Sequence, residues 1–262
     1  MTARRKALPG LTDTDARFLV DAYYLMQDYR IRANAHQREH EAPHAFIEAL
    51  AERSADIEDD IRFQLGHWVK TKPIGEWLIS IKGIGPVITA GLLAHVNMGK
   101  RDDGSLVCPS PSALWAYAGL NPDARWEKGS KRPWNAALKR LCFLTGTCFE
   151  KLGERGFYGR LYRERLAWEI EHNASGANAA YAENALTTKK YKTGTITRQA
   201  LEAGRLSDAH VRQRARRWTV KLFLSHVWEV WYFLEYGERG PKPYVFEHMG
   251  HVHRIEPENA PW

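Results

Sequence analysis

Lys82-Gly83-Ile84-Gly85-Pro86 lies between the apolar runs 77–81 and 87–96, a pattern that predicts a helix, a two-glycine turn and a second helix. Glycines one residue apart allow backbone torsions with positive φ and remove the Cβ atoms that keep another backbone away. Pro86 suits the first turn of a helix. Such a turn aims unpaired N–H groups and the positive end of a helix dipole at one point, where a phosphate can sit, and Lys82 adds a cation there. A second stretch, residues 120–135, is irregular and basic: Trp126 and Trp134 alternate with Arg125, Lys128, Lys131 and Arg132. Flat rings interleaved with cations suit stacking on exposed bases and neutralisation of a phosphate backbone. Ser130 is the one serine in that loop. With Lys128, Lys131 and Arg132 to hold developing charge, it is the candidate nucleophile for attack on a phosphodiester. The same cations serve plain phosphate binding equally well.

Charge is distributed unevenly. Over 262 residues, 38 Lys and Arg face 31 Asp and Glu, a net +7, yet residues 38–62 carry three arginines against eight acids and are net −5. The remainder must therefore carry +12, which points to a polyanionic partner. Between Arg205 and Lys221, six basic residues stand against Asp208 alone, a local +5. Arg212 and Arg216, one helical turn apart in that stretch, are candidates for a second phosphate-binding stripe, which would strengthen binding without reading sequence. Cys108, Cys142 and Cys148 lack CxxC spacing, which suggests a reducing compartment and no zinc site. His248, His251 and His253 have metal-like spacing without a cysteine or acidic pair beside them, so no metal site is expected there. No apolar run approaches membrane-spanning length, and Met1-Thr2-Ala3-Arg4-Arg5-Lys6 lacks the apolar core of a signal peptide. The expectation is a cytoplasmic, nucleoid-associated protein with no membrane partner and no evident cofactor.

The elements that must position these residues all read as helical, so the expected fold class is all-α. Thr12 or Asp13 can cap a helix on which Phe18, Ala22, Leu25 and Tyr29 recur at helical spacing. After a restart at Pro43, residues Phe46, Leu50, Ile57, Ile61, Leu65 and Trp68 form one stripe, with Glu48, Glu52, Glu58 and Asp59 off it. This predicts an antiparallel helical pair or a dimerising coiled coil, and hence a homo-oligomer joined through the N-terminal helices. The acidic run 56–60 reads as a solvated helix face, because only part of it can turn toward one ion. Ser112 can cap a short helix that stops at Gly119, and a further helix begins near Asn135, with Leu138, Leu141, Cys142 and Phe149 inward and Lys139 and Arg140 toward solvent. Residues 172–206, rich in Asn, Ala, Gly and Thr, read as a long, partly mobile insertion. Ser207 or Asp208 then caps a long basic helix, and the prolines after it suggest an extended strap anchored by Tyr244 and Phe246.

The apolar, Gly-Ile-Gly, apolar order fits the helix-hairpin-helix pattern, with Thr89 where the pattern prefers alanine. In order, residues 81–86, then 114–122 with Gly119-Leu120-Asn121-Pro122, then 135–140, and later Tyr158-Gly159-Arg160-Leu161-Tyr162, resemble the C-terminal transposase domain of the one-ten/one-sixteen group of insertion sequences. The resemblance covers residues 77–165, roughly a third of the chain. It implies binding to duplex, branched or single-stranded DNA in transposition or recombination, with a structured RNA as a further partner. In that family a ribonuclease-H-like domain with four acidic catalytic residues precedes a coiled coil and this helical domain. The stretch before Trp77 resembles only the coiled-coil connector, being too short and too helical for the acidic fold. A divalent metal would therefore enter only with an acidic nuclease partner supplied in trans. The family serine follows the Gly-Leu-x-Pro motif in a Ser-Gly segment, where this chain has Trp126 and Glu127.

The expected organisation is a helical or coiled-coil region over 1–70, a helix-hairpin-helix domain over 71–171, an insertion over 172–206, a basic helix over 207–240 and an extended tail over 241–262. The leading expectation is a DNA-binding accessory or domesticated recombination factor whose contacts include Lys82, Gly83, Ile84, Gly85, the 125–134 loop, Lys139, Arg140, Arg212 and Arg216. A strand transferase using Ser130 and a non-catalytic helical oligomer are the alternatives.

Overall fold

The computed structural model describes residues 6–40, 44–122, 124–241 and 254–262. Among them the chain is all-α, and no helix is long and apolar enough to cross a membrane. Helix α1 (Asp13–Glu39) starts at Thr12, whose hydroxyl accepts from the Asp15 N–H (3.2 Å) while the Asp15 carboxylate accepts from the Thr12 N–H (2.9 Å). Donation from the Thr12 hydroxyl (2.6 Å), and then from the Thr12 N–H, holds the Asp15 carboxyl below its usual range. Helix α2 (Ala45–Val69) packs along α1, and Glu58, only 4% exposed, takes a two-pronged ion pair from Arg30 (2.6 and 3.0 Å). Glu58 is thus a buried partner and does not belong to a solvated acidic face. The pairing follows from the guanidinium's fork geometry, which matches a carboxylate. The expected apolar stripe on α2 splits: Ile61, Leu65 and Trp68 enter the core, whereas Phe46, Leu50 and Ile57 stay exposed. Pro43 lies outside the described residues.

Helices α3 (Pro73–Ser80) and α4 (Pro86–His95) follow, each with proline in its first turn. Every residue of α4 from Val87 to Ala94 is buried, as expected for a helix that is apolar all round. The Thr89 hydroxyl is buried there without a partner. Helix α5 (Pro111–Tyr117) is capped by Ser110, which places the cap two residues before the expected Ser112. Helix α6 (Ala136–Leu152) is capped by Asn135 and carries Leu138, Leu141, Cys142 and Phe149 inward. It crosses α4 where Gly91 has no side chain; a Cβ there would stand 2.7 Å from Leu141 Cδ2.

After a single 3-10 turn (Gly153–Arg155) come α7 (Phe157–Ala174), α8 (Ala179–Thr188), α9 (Ile196–Glu202) and α10 (Asp208–Tyr236). Residues 172–206 are therefore largely ordered helix where an insertion was expected. Small residues let α8 and α9 close over a second apolar cluster of Ala182, Ala185, Leu201, Leu206 and Val211. Asn173 ties this lobe down, accepting from the Leu206 N–H (2.8 Å) and donating to the Leu206 carbonyl (3.0 Å). The main core is contiguous from Ala16 and Val20 of α1 through Val230 of α10, so the base of the N-terminal pair is part of the body.

The last nine residues form a strap across α10 and α3. Arg254 pairs with Glu229, the Trp77 indole donates to the Glu258 carbonyl (2.8 Å), and Asn259 donates to Ser80 Oγ (3.2 Å). Tyr244, Phe246 and the histidines 248, 251 and 253 lie outside the described residues.

Candidate nucleic-acid interface

Between α3 and α4 the chain makes a tight turn in which the Ile84 N–H donates to the Ile81 carbonyl (3.0 Å) and Gly83 takes φ +95°. That third turn position demands glycine. Gly85 is different: its φ of −96° is open to any residue, so only one of the two glycines is needed for its torsion. Gly85 is the N-cap of α4, no side chain caps it, and nothing lies within 4 Å of where its Cβ would stand. The start of α4 therefore has no side-chain cap, and its first residue, Pro86, brings no N–H of its own. Lys82 is exposed beside it, whereas Ile84 is buried, so it serves as a wedge holding the turn and touches a ligand only through its backbone.

This turn does not share a patch with the tryptophan loop. A Cβ on Gly83 would meet Leu152 at the C-terminal end of α6 (3.4 Å). The loop delivers Asn135 at the other end, where its amide nitrogen lies 3.2 Å from His95 Nδ1 and donates to the Tyr117 hydroxyl (2.9 Å). Seventeen residues of helix separate the two sites, about 25 Å at 1.5 Å per residue. One molecule reaching both must be extended, roughly seven nucleotide steps of 3.4 Å.

Within the loop, Arg125 donates to the Pro122 carbonyl (2.8 Å), and the Trp126 indole donates to the Ser130 carbonyl (2.8 Å). Trp126 keeps 40% of its surface exposed, with the Arg132 guanidinium over its ring at 5.1 Å. Trp134 is turned inward against Gly119, where a Cβ would come within 2.8 Å of its ring, and it carries the Lys139 ammonium at 4.1 Å. Trp134 therefore packs with Lys139, and Trp126 is the loop's outward-facing ring. Lys128 and Lys131 are exposed, and Arg140 lies over Tyr24 of α1 (5.3 Å). Ser130 sits in an exposed turn, its hydroxyl donating to the Glu127 carbonyl (2.7 Å). A carbonyl cannot take its proton, and Ser130 is not in the cleft described next.

Gly119 to Pro122, α6, α7 and α10 enclose an open cleft of about 780 Å³. Its walls carry Lys139, Arg165, Arg214, Arg216, Arg217 and Lys221 against one carboxylate, Glu169. Arg165 and Arg214 share Glu169 (2.6 and 2.9 Å). Arg216 is committed to Glu150 of α6, which also accepts from the Tyr162 hydroxyl (2.9 Å) and lies 3.9 Å from Arg212. Burial would raise the Glu150 carboxyl, but the bonds from Arg216 and Tyr162 bring it below its ordinary value. Arg216, its side chain 13% exposed, thus braces the cleft wall and is not the open phosphate contact that the sequence suggested. Gly146 makes the contact possible, since a Cβ there would stand 2.4 Å from Arg216 Cγ. Arg212 is 60% exposed, on the solvent side of the same ion-pair group.

Among the described residues no carboxylate pairs with Lys139 or Arg217. Burial, followed by repulsion from Arg132 and Arg217, lowers the Lys139 pKa. His210 is lowered likewise by burial and then by Arg217, Arg214 and Lys189. In both, burial is the larger cause and the neighbouring cations add to it. Sequence reasoning missed Arg165, Phe143 and Trp218; only the Arg165–Glu169 spacing gave a local signal. The described residues hold no group of His, Cys, Asp or Glu placed to bind a metal ion. No protein-family model, curated protein or solved structure matches the chain.

Proposed function

We propose that this protein binds DNA through its phosphate backbone and acts as an accessory factor in transposition or recombination. The observation that carries the binding is the cleft, whose walls hold six cations, of which Arg165, Arg214 and Arg216 are paired with Glu169 and Glu150 while Lys139 and Arg217 have no carboxylate partner among the described residues. Lys82 and the uncapped start of α4 offer a second phosphate seat at the far end of α6. Placement in recombination rests on the ordered motifs around Gly83, Gly119 and Asn135. Strand transfer by Ser130 finds less support, because its hydroxyl is bonded to a carbonyl and not, among the described residues, to a base that could take its proton.

The test is a fluorescence-anisotropy titration of duplex DNA at several salt concentrations. Submicromolar affinity is expected, with log K falling against log salt at a slope of about −3 to −5, as for four or five neutralised phosphates. Gly85→Ala leaves the melting temperature unchanged, because φ and space both admit a methyl group. It weakens binding about threefold to tenfold by blocking close approach of a phosphate to the α4 N–H groups. Salt-independent binding, or none, removes the proposal.

The α1–α2 pair supports a second, compatible reading as an association surface. Phe46, Leu50 and Ile57 on α2, and Phe18, Leu25 and Tyr29 on α1, are exposed at helical spacing. Light scattering of the full chain should give at least a dimer, and Leu50→Glu with Ile57→Glu should give a monomer. A monomeric parent chain contradicts this reading.

A further inference from the structure

We infer that the cleft between residues 119–122, α6, α7 and α10 takes an unpaired nucleotide of a DNA strand, a refinement that rests on the nucleic-acid reading above. Backbone binding alone accounts for the cations and leaves Phe143 unexplained. This residue lines the cleft from α6, turns away from the core, and keeps 51% of its surface exposed. The Arg216 guanidinium stands over its ring at 5.0 Å, and Glu150 holds that guanidinium in place. Trp218 faces the same cleft from α10, with Arg165 over its ring at 5.4 Å. Each ring therefore has one face braced by a cation that is itself fixed by a carboxylate. Rigid aromatic faces of this kind stack on bases without demanding sequence.

A duplex cannot use them, because its bases are stacked on one another and present only their edges in the grooves. An unpaired base presents a ring face. The cleft volume, about 780 Å³, falls within the range of roughly 300–1,000 Å³ typical of sites that enclose a small ligand, which suits one or two unpaired nucleotides entering it. Lys139 and Arg217, without carboxylate partners among the described residues, are placed to meet the phosphate of the same nucleotide. The apolar floor of Cys142 and Val220 excludes water beneath the base.

The experiment compares a fluorescein-labelled blunt DNA duplex with the same duplex bearing a short single-stranded overhang, titrated with the full chain at one salt concentration. The overhang should tighten binding about tenfold, the gain expected from stacking a base on an aromatic face. Phe143→Ala abolishes that preference, read as the ratio of overhang to blunt-duplex affinity, and Phe143→Tyr retains it. Should Phe143→Ala lower the melting temperature, Phe143→Leu, which keeps the bulk and removes the ring, supplies the same readout. Equal affinity of the parent chain for the two DNAs, or an overhang preference that survives loss of the ring, overturns the inference while leaving backbone binding intact. Failure of the underlying reading looks different: neither DNA binds with salt dependence.

Discussion

Replacing Lys139 and Arg217 by glutamate is expected to lower affinity for duplex DNA by two to three orders of magnitude. Each phosphate contact contributes a slope of about 0.9 in log K against log salt, or roughly one order of magnitude at 0.1 M salt. Loss of two contacts thus accounts for about a hundredfold, and repulsion between the new carboxylates and the strand adds to it. The salt slope should become shallower by about two. These two residues suit the test because no described carboxylate pairs with either, so their removal strands no buried partner. Arg216 would confuse it, since its loss leaves Glu150 without its main counter-charge. Anisotropy titrations at several salt concentrations, with melting curves to show that the double variant is folded, provide the measurement. Unchanged affinity and slope would mean that the cleft is not where DNA binds.

The contrast between Arg216 and Arg217 shows what sequence could reveal about this site. Local density of charge along residues 205–221 marked the helix as basic, and its spacing put Arg212 and Arg216 on one side. Which arginine is neutralised depends on Glu150, 66 residues earlier in the chain, and no local pattern carries that information. The Arg30–Glu58 pair is hidden for the same reason. Elements governed by neighbours in sequence were legible: Thr12, Asn135 and Ser207 all stand at helix N-caps, and the inward face of α6 follows its apolar period. Period identifies the face that prefers burial and is silent on whether another element covers it. Hence α2 keeps Phe46, Leu50 and Ile57 exposed on the stripe whose other end is core. The two helices within 172–206 were not legible because small residues look loop-like until α8 and α9 pack against one another.

Acid should loosen this fold through His226. The ring is 1% exposed, its Nε2–H donates to the Ile255 carbonyl (2.8 Å), and Nδ1 accepts from the Tyr158 hydroxyl (2.8 Å), an arrangement that requires the neutral imidazole. Burial lowers its pKa from the ordinary 6.5 to about 4; the bond to Ile255 opposes that shift and the Arg254 charge adds to it. The folded pKa is depressed, so the unfolded chain binds this proton first. The associated stability is fully present above pH 6.5 and is lost as the pH falls from there toward about 4. That interval corresponds to about 3 kcal/mol, or roughly 6–12 °C in melting temperature for a chain of this size. Glu229, beside Arg254, acts in the opposite sense: burial holds its carboxyl above the ordinary 4.5, so the folded state gains its proton more readily. His226→Gln separates the two, because its amide can both donate to Ile255 and accept from Tyr158 without titrating. The parent chain should melt progressively lower from pH 7 to pH 5, and the variant should stay nearly flat over the same range. Matching curves would show that another group controls the acid response.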